Sequence, residues 1–85
     1  NDLLALGAVR AGKDLGRRVP ADCAIVGFDD IQWAATATPS LTTIRVHKYE
    51  LGQQAMNRLL AMLDDPEATF PPLCLDVELV MRESA

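Results

Sequence analysis

Two adjacent carboxylates, Asp29 and Asp30, directly follow the apolar run CAIVGF at residues 23–28. Paired carboxylates can act as general acid and base, or they can accept hydrogen bonds from a ligand. Adjacent residues of an extended chain point to opposite sides, so these two cannot form a close acid/base dyad. Two alternatives follow. Either Asp29 faces a binding site while Asp30 caps the turn beginning at Ile31, or both acids only open a solvated turn.

The other reactive side chains form no pattern that is typical of catalysis or metal binding. His47 is the only histidine, and no serine or cysteine stands at a recognisable spacing from it. Cys23 and Cys74 fit no metal or redox spacing. Both lie in apolar, strand-like runs, which favours two buried free thiols in a reducing cytosol over the alternative of a disulfide. The sequence therefore favours a protein that is not an enzyme and holds no metal or cofactor.

Hydrophobic periodicity predicts three strands and two main helices in the order α-β-β-α-β. The first helix is predicted to begin after an N-cap at Asp2 and to end at Gly16, a residue suited to the left-handed cap position. A short helical turn is predicted within residues 31–40, and the second helix carries apolar positions from residue 51 to residue 63. The inward face of the first helix is predicted to consist of Leu4, Ala8, Ala11 and Leu15, widened by Leu3, Leu6 and Val9.

Strands are predicted at residues 23–28, 41–46 and 73–82. The first does not alternate apolar with polar residues, which indicates burial on both faces, as in a parallel sheet. The last alternates almost without exception, so its odd-numbered residues are predicted to face a core. Arg45, near the end of the second strand, is predicted to pair with a surface acid. Three strands that need cover are too few for a self-sufficient α/β sheet, so we expect the chain to be part of a longer protein.

Net charge and hydropathy narrow the range of partners. The chain has 85 residues and a formal net charge of −4, with its eight Lys and Arg dispersed along the sequence. Nucleic-acid-binding domains usually carry a clustered basic face, which is missing here. No apolar run is long enough to span a membrane, and no signal-peptide pattern is present. We therefore expect a cytoplasmic α/β chain that does not contact DNA or a membrane by itself.

The motifs and their order resemble the LacI/GalR family of bacterial transcriptional regulators. The similarity covers essentially the whole chain and is carried by NDLLALGAVRAGKDLGRRVP, AIVGFDDI, TPSLTTIRV, ELGQQAMNRLL and LVMRES. It implies the C-terminal portion of a two-lobed effector domain of the periplasmic-binding-protein type, which is doubly wound and Rossmann-like. Residues 1–46 and 71–85 would belong to the C-terminal lobe, and residues 47–70 would form a helix of the N-terminal lobe. DNA would be bound only through an N-terminal helix-turn-helix domain that this chain lacks.

The resemblance also implies a ligand site. Asn1 matches the Asn of the family's ND motif, which lines the cleft, and Asp29 matches the first Asp of GFDD, which hydrogen-bonds the ligand. An ionised carboxylate offers two acceptor oxygens, which suits the vicinal hydroxyls of a sugar effector. Many relatives carry a ligand-reaching Gln where this chain has Val46. This departure leaves the class of ligand open.

Family members form homodimers through their effector domains, and the resemblance places Leu6 and the segment from Trp33 to Ala37 near that interface. Two other classes of protein have to be weighed against a regulator. A solute-binding protein for transport shares the fold, but it would carry an export signal in the full gene. A doubly wound enzyme would need a nucleophile or a cofactor loop, and the sequence shows neither.

Overall fold

The computed structural model of the protein describes residues 1–85. Its elements are α1 (Asp2–Asp14), β1 (Val26–Asp29), α2 (Gln32–Thr36), β2 (Thr42–Val46), α3 (Lys48–Asp64) and β3 (Val77–Val80). The predicted order α-β-β-α-β is confirmed, and the helical turn expected after the first strand is α2. The chain forms two compact units, one made of residues 1–46 and 77–85 and the other of residues 47–76.

The three strands form one mixed sheet in the order β1-β2-β3. β1 and β2 are parallel, with Asp29 opposite Arg45, while β2 and β3 are antiparallel, with Val46 opposite Val77. The parallel arrangement expected for the first strand is confirmed. Because parallel strands end at the same edge of a sheet, Asp29 and Arg45 arrive there together. β3 is shorter than predicted, since residues 73–76 form no strand.

Helix α1 is capped by Asn1 and not, as predicted, by Asp2. Asn1 Oδ1 accepts a hydrogen bond from the backbone N–H of Leu4 at 3.0 Å, which is the usual N-cap contact. Asp2 is the first helical residue, and its carboxylate has partners elsewhere in the fold. The other end follows the prediction, because Gly16 adopts a positive φ of 72° just beyond the helix.

The face of α1 that packs inward differs from the predicted one. The buried residues of the helix are Asp2, Ala5 and Val9. Ala5 packs with Ala34 and Leu41. Leu4 and Leu15 of the predicted stripe are 74% and 78% exposed. Val9, predicted to widen the apolar face, is buried, and the small Ala5 and the polar Asp2 take the other covered positions.

Cover over the sheet is uneven, since Thr42 and Thr43 of β2 are both buried while most residues of β1 and β3 are not. Gly27 of β1 is buried, but its neighbours Val26 and Phe28 are 53% and 47% exposed. Two-sided burial of this strand is therefore wrong for the chain by itself. Val77 and Leu79 of β3, predicted to face a core, are 50% and 58% exposed. These four apolar side chains are each about half exposed in this chain.

The unit formed by residues 47–76 has no buried residue. Its helix α3 ends at Asp64, just before Asp65-Pro66, as predicted from the restriction that proline places on the preceding residue. None of the helices has both the length and the apolar character needed to cross a membrane.

Both Cys23 and Cys74 are free thiols, and both are exposed, so their predicted burial is wrong. Ile25, two residues after Cys23, does pack against the core, so cover begins only beyond the cysteine.

The uncovered apolar surface leads to a prediction about association. We expect the 85-residue chain, expressed alone, to form dimers or larger assemblies in solution. Only Ala5, Val9, Ala34 and Leu41 form its buried apolar core, and exposed apolar faces and sheet edges promote association. Light scattering with size-exclusion chromatography measures this directly. A compact monomer that unfolds cooperatively would contradict the expectation.

Candidate functional site

The turn that follows β1 has an unusual backbone. Asp29 and Asp30 both adopt positive φ angles, 117° and 54°. Positive φ is uncommon outside glycine, although Asp is among the residues that tolerate it best. Such conformations persist where the surrounding structure holds them in place. The contacts of Asp30 and Asp2 supply that restraint.

Asp30 lies between two arginines. Its Oδ2 accepts a hydrogen bond from Arg45 Nε at 2.7 Å, and its Oδ1 lies 2.8 Å from Arg82 Nη2. The side chain of Asp30 is 11% exposed, against 43% for Arg45. Burial by itself raises the pKa of Asp30, but the hydrogen bonds from Arg45 and Arg82 outweigh it and hold that pKa below its ordinary value. The carboxylate is therefore charged and fixed near neutral pH.

These contacts correct two predictions. Asp30 does not cap α2, because the N-cap is Ile31 and no side chain serves as the cap. Arg45 does find an acid, but its close partner is the largely buried Asp30, while the more exposed Glu78 lies 3.8 Å away. The reason is the strand register. Parallel pairing places Arg45 beside the end of β1, where Asp30 is within reach.

A second carboxylate, that of Asp2, is fully buried beneath the same turn. Asp2 Oδ2 accepts the backbone N–H of Ile31 at 2.8 Å, and Asp2 Oδ1 accepts the hydroxyl of Thr43 at 2.5 Å. No pattern in the sequence predicted this role. The only local signal was an acid in the first turn of a helix, and that signal fits a simple cap equally well.

The two predicted ligand residues lie beside this network. Asn1 is exposed at the start of α1, and its amide nitrogen is not used in the cap contact. Asp29 is half-buried at the end of β1. Asp2 follows Asn1 directly and contacts Ile31, two residues beyond Asp29. Asn1 and Asp29 therefore lie near the edge of the sheet where β1 and β2 end. Their contact with a ligand stays a prediction.

The residues predicted for a dimer interface lie elsewhere in the same unit. Leu6 and Ala37 line a groove of about 490 Å³ between α1 and the segment after α2. The lining is mixed in character and also includes Lys13 and Arg17. Trp33 on α2 is 64% exposed. The groove contains no residue of the turn 29–31, so it is distinct from the candidate ligand edge.

The chemistry open to the ligand edge is recognition by hydrogen bonds. The Asp30 and Asp2 carboxylates are engaged by arginines, a backbone amide and a hydroxyl, so their acceptor oxygens already have partners within the fold. No group of three or more His, Cys, Asp or Glu side chains is placed to hold a metal ion. Asp29 brings a carboxylate and Asn1 an amide to the edge, a combination that can accept from and donate to a polar ligand.

The comparisons with known proteins agree with this architecture. The family model of the periplasmic binding protein-like domain matches residues 1–85. The ribose operon repressor of Haemophilus influenzae is 39% identical over 84 residues, which cover 99% of this chain and 25% of the repressor. The chain therefore spans about a quarter of the length of this curated relative.

Two solved structures show the same fold. The lac repressor dimer bound to operator and the anti-inducer ONPF is 42% identical, with a TM-score of 0.86, over 99% of this chain and 29% of that one. A LacI family regulator from Enterococcus faecium with bound ribose is 36% identical, with a TM-score of 0.84, over 99% of this chain and 32% of that one. The resemblance seen in the motifs is confirmed. The chain belongs to the periplasmic binding protein-like domain family, in the form found in LacI-type transcriptional regulators.

Proposed function

We propose that this chain is the effector-sensing part of a LacI-type transcriptional regulator. It binds a small molecule at the edge of the sheet where Asn1 and Asp29 lie, and it controls DNA binding by a helix-turn-helix domain elsewhere in the protein. The observation that carries the proposal is the turn after β1. The carboxylates of Asp2 and Asp30 make contacts that hold this turn in place. The turn then sets the position of Asp29.

The proposed effector is a sugar or a related metabolite with several hydroxyls. A fixed carboxylate can accept two hydroxyl hydrogen bonds at once, and bonds to a charged acceptor are the stronger kind. The relative from Enterococcus faecium holds ribose, which supports this class of ligand. Val46 supplies an apolar side chain at the end of β2, so the ligand gains no hydrogen bond there.

Residues 1–46 and 71–85 are proposed to belong to one lobe of the effector domain, and residues 47–70 to the other. The boundary after residue 46 is supported, because the chain divides into compact units there. The second compact unit ends at residue 76, whereas the proposed boundary lies after residue 70. Ligand binding between lobes would then involve residues from outside this chain. The protein is proposed to act in the cytoplasm, where its DNA is, and to need no enzymatic step or cofactor.

We propose a homodimer in which Leu6, Trp33 and Ala37 lie at or near the subunit contact. The lac repressor relative is a dimer, and the groove lined by Leu6 and Ala37 offers apolar surface for such a contact. A role in solute transport, which the same fold can serve, is less favoured because the curated relative and both structural neighbours described above are repressors or regulators.

The proposal is tested with the intact protein that contains this chain. A thermal-shift screen against monosaccharides and disaccharides, D-ribose included, is expected to give a stabilising sugar that titrates to one molecule per chain. Adding that sugar is expected to change the protein's affinity for DNA from its own promoter, measured by fluorescence anisotropy. An effector without hydroxyls would contradict the ligand class, and an export signal encoded upstream of Asn1 would favour transport.

The isolated chain serves as the control for the DNA experiment. It is expected to show no saturable, sequence-dependent binding even at low salt, because a net charge of −4 opposes association with the phosphate backbone. Specific binding by the isolated chain would contradict the separation of sensing from DNA recognition.

A further inference from the structure

We infer that Asp2 is a positioning residue that fixes Asn1 and Asp29 relative to each other. The inference rests on the proposed ligand role of these two residues, but the contacts behind it belong to the fold. Asp2 is fully buried, so it does not reach a ligand itself. It acts through the two elements that its carboxylate joins.

The two oxygens of Asp2 bind different parts of the edge. Oδ2 accepts the N–H of Ile31 at 2.8 Å, which fixes the exit of the turn that carries Asp29. Oδ1 accepts the hydroxyl of Thr43 on β2 at 2.5 Å. Thr43 Oγ1 in turn accepts the N–H of Asp30 at 3.4 Å. One carboxylate therefore ties the start of α1, the turn after β1 and strand β2 together.

The fold leaves room for this carboxylate. A Cβ atom placed on Gly27 would overlap the Asp2 carboxylate and come within 2.9 Å of Leu41 Cδ2. Glycine at this strand position is therefore needed for the carboxylate to lie beneath the turn.

The same contacts account for the backbone of the turn. Asp29 and Asp30 have positive φ, which requires restraint from outside the turn. Asp2 holds the residue after them, and Thr43 holds the N–H of Asp30. Because Asn1 precedes Asp2 in the chain, a shift of Asp2 changes the position of Asn1 and of the turn together.

The test uses the intact protein without ligand, with Asp2→Ala and Asp2→Asn variants. In Asp2→Ala, protection of the Ile31 amide against hydrogen exchange is expected to fall about tenfold to a hundredfold, the value of leaving a partly buried N–H without its acceptor. The NMR signals of the Asn1 side-chain amide and the Asp29 carboxyl carbon are expected to shift and broaden. Asp2→Asn is expected to stay near wild type, because its oxygen can accept from Ile31 and its NH₂ can donate to Thr43.

Two further variants keep the outcome decisive. Asp14→Ala removes an exposed acid from the same helix and is expected to leave all three signals unchanged. Thr43→Val removes one partner of Asp2 without changing side-chain size, so it is expected to give a smaller change in the same signals. This variant provides the test if Asp2→Ala does not fold. Unchanged Asn1 and Asp29 signals, or an equal loss of protection along the whole chain, would overturn the inference.

D-ribose titration of the same variants separates this inference from the proposed function. If wild type binds D-ribose, Asp2→Ala is expected to bind it more weakly and Asp2→Asn about as well as wild type. If wild type does not bind D-ribose, the choice of sugar fails, while the ligand-free NMR result still decides the role of Asp2.

Discussion

Replacing Asp30 with Asn is expected to lower the free energy of unfolding of the intact protein by about 1.5–3 kcal/mol at pH 7, the range for hydrogen bonds to charged groups. The variant keeps the shape of the side chain but leaves Arg82, whose side chain is only 16% exposed, without its carboxylate partner. Urea denaturation followed by fluorescence or circular dichroism measures the change. Asp14→Asn is the matched control, because Asp14 is 62% exposed and pairs with Arg10 at the surface, where ion pairs contribute little.

The pH dependence of this difference follows from the direction of the pKa shift. The pKa of Asp30 in the folded protein lies below its ordinary value of 3.8. Its contribution is therefore complete well above pH 3.8 and is lost as the pH falls through the folded-state pKa. We expect the gap between wild type and Asp30→Asn to stay constant from pH 7 to about pH 5 and to narrow below pH 4. A gap that persists unchanged at lower pH would show that the charge of Asp30 is not responsible.

Replacing Asp29 with Asn is expected to weaken effector binding about tenfold to a hundredfold, equivalent to about 1.5–3 kcal/mol. The substitution keeps the shape of the residue, removes its charge and turns one acceptor into a donor. The ion pairs of Asp30 with Arg45 and Arg82 stay in place in this variant, so the turn is expected to keep its position. Calorimetric titration with the sugar found in the thermal-shift screen measures the affinity.

The control for this experiment is Glu78→Gln, which removes a negative charge from β3 at the position opposite Arg45. Affinity is expected to stay near wild type, since Glu78 is 55% exposed and belongs to a different strand. If Asp29→Asn binds as well as wild type, the paired acids serve only to form the turn. An equal loss in both variants would point to the total charge of the edge and not to a specific contact.

The structure changes what is expected of Asp30 in such a comparison. A capping residue tolerates Asn in place of Asp with little loss, and the sequence favoured that role. A carboxylate held by Arg45 and Arg82 does not tolerate it. If Asp30→Asn weakens effector binding, the expected cause is a displaced turn. The same displacement is expected to lower the stability of the protein.

The elements of this fold could be predicted from the sequence because their signals are local. Gly16 ended α1, Pro66 ended α3, and the non-alternating run before Asp29 indicated a parallel strand; all three are confirmed. Each of these signals depends on the intrinsic backbone preference of one residue or on the spacing of near neighbours. The motifs likewise indicated the family, because their order and spacing are properties of the chain itself.

The roles of the acids were decided only by the tertiary structure. Asp2 contacts Ile31 and Thr43, which lie 29 and 41 positions further along the chain. Asp30 contacts Arg45, 15 positions away. No short stretch of sequence therefore contains either acid together with its partners. The same holds for the inward face of α1. Periodicity shows that a helix has apolar residues to bury, but the partner surface selects the face, and here the space over Gly27 is taken by the carboxylate of Asp2. Local preference determines where helices and strands form, whereas the assignment of a buried charge requires the positions of all its partners in space.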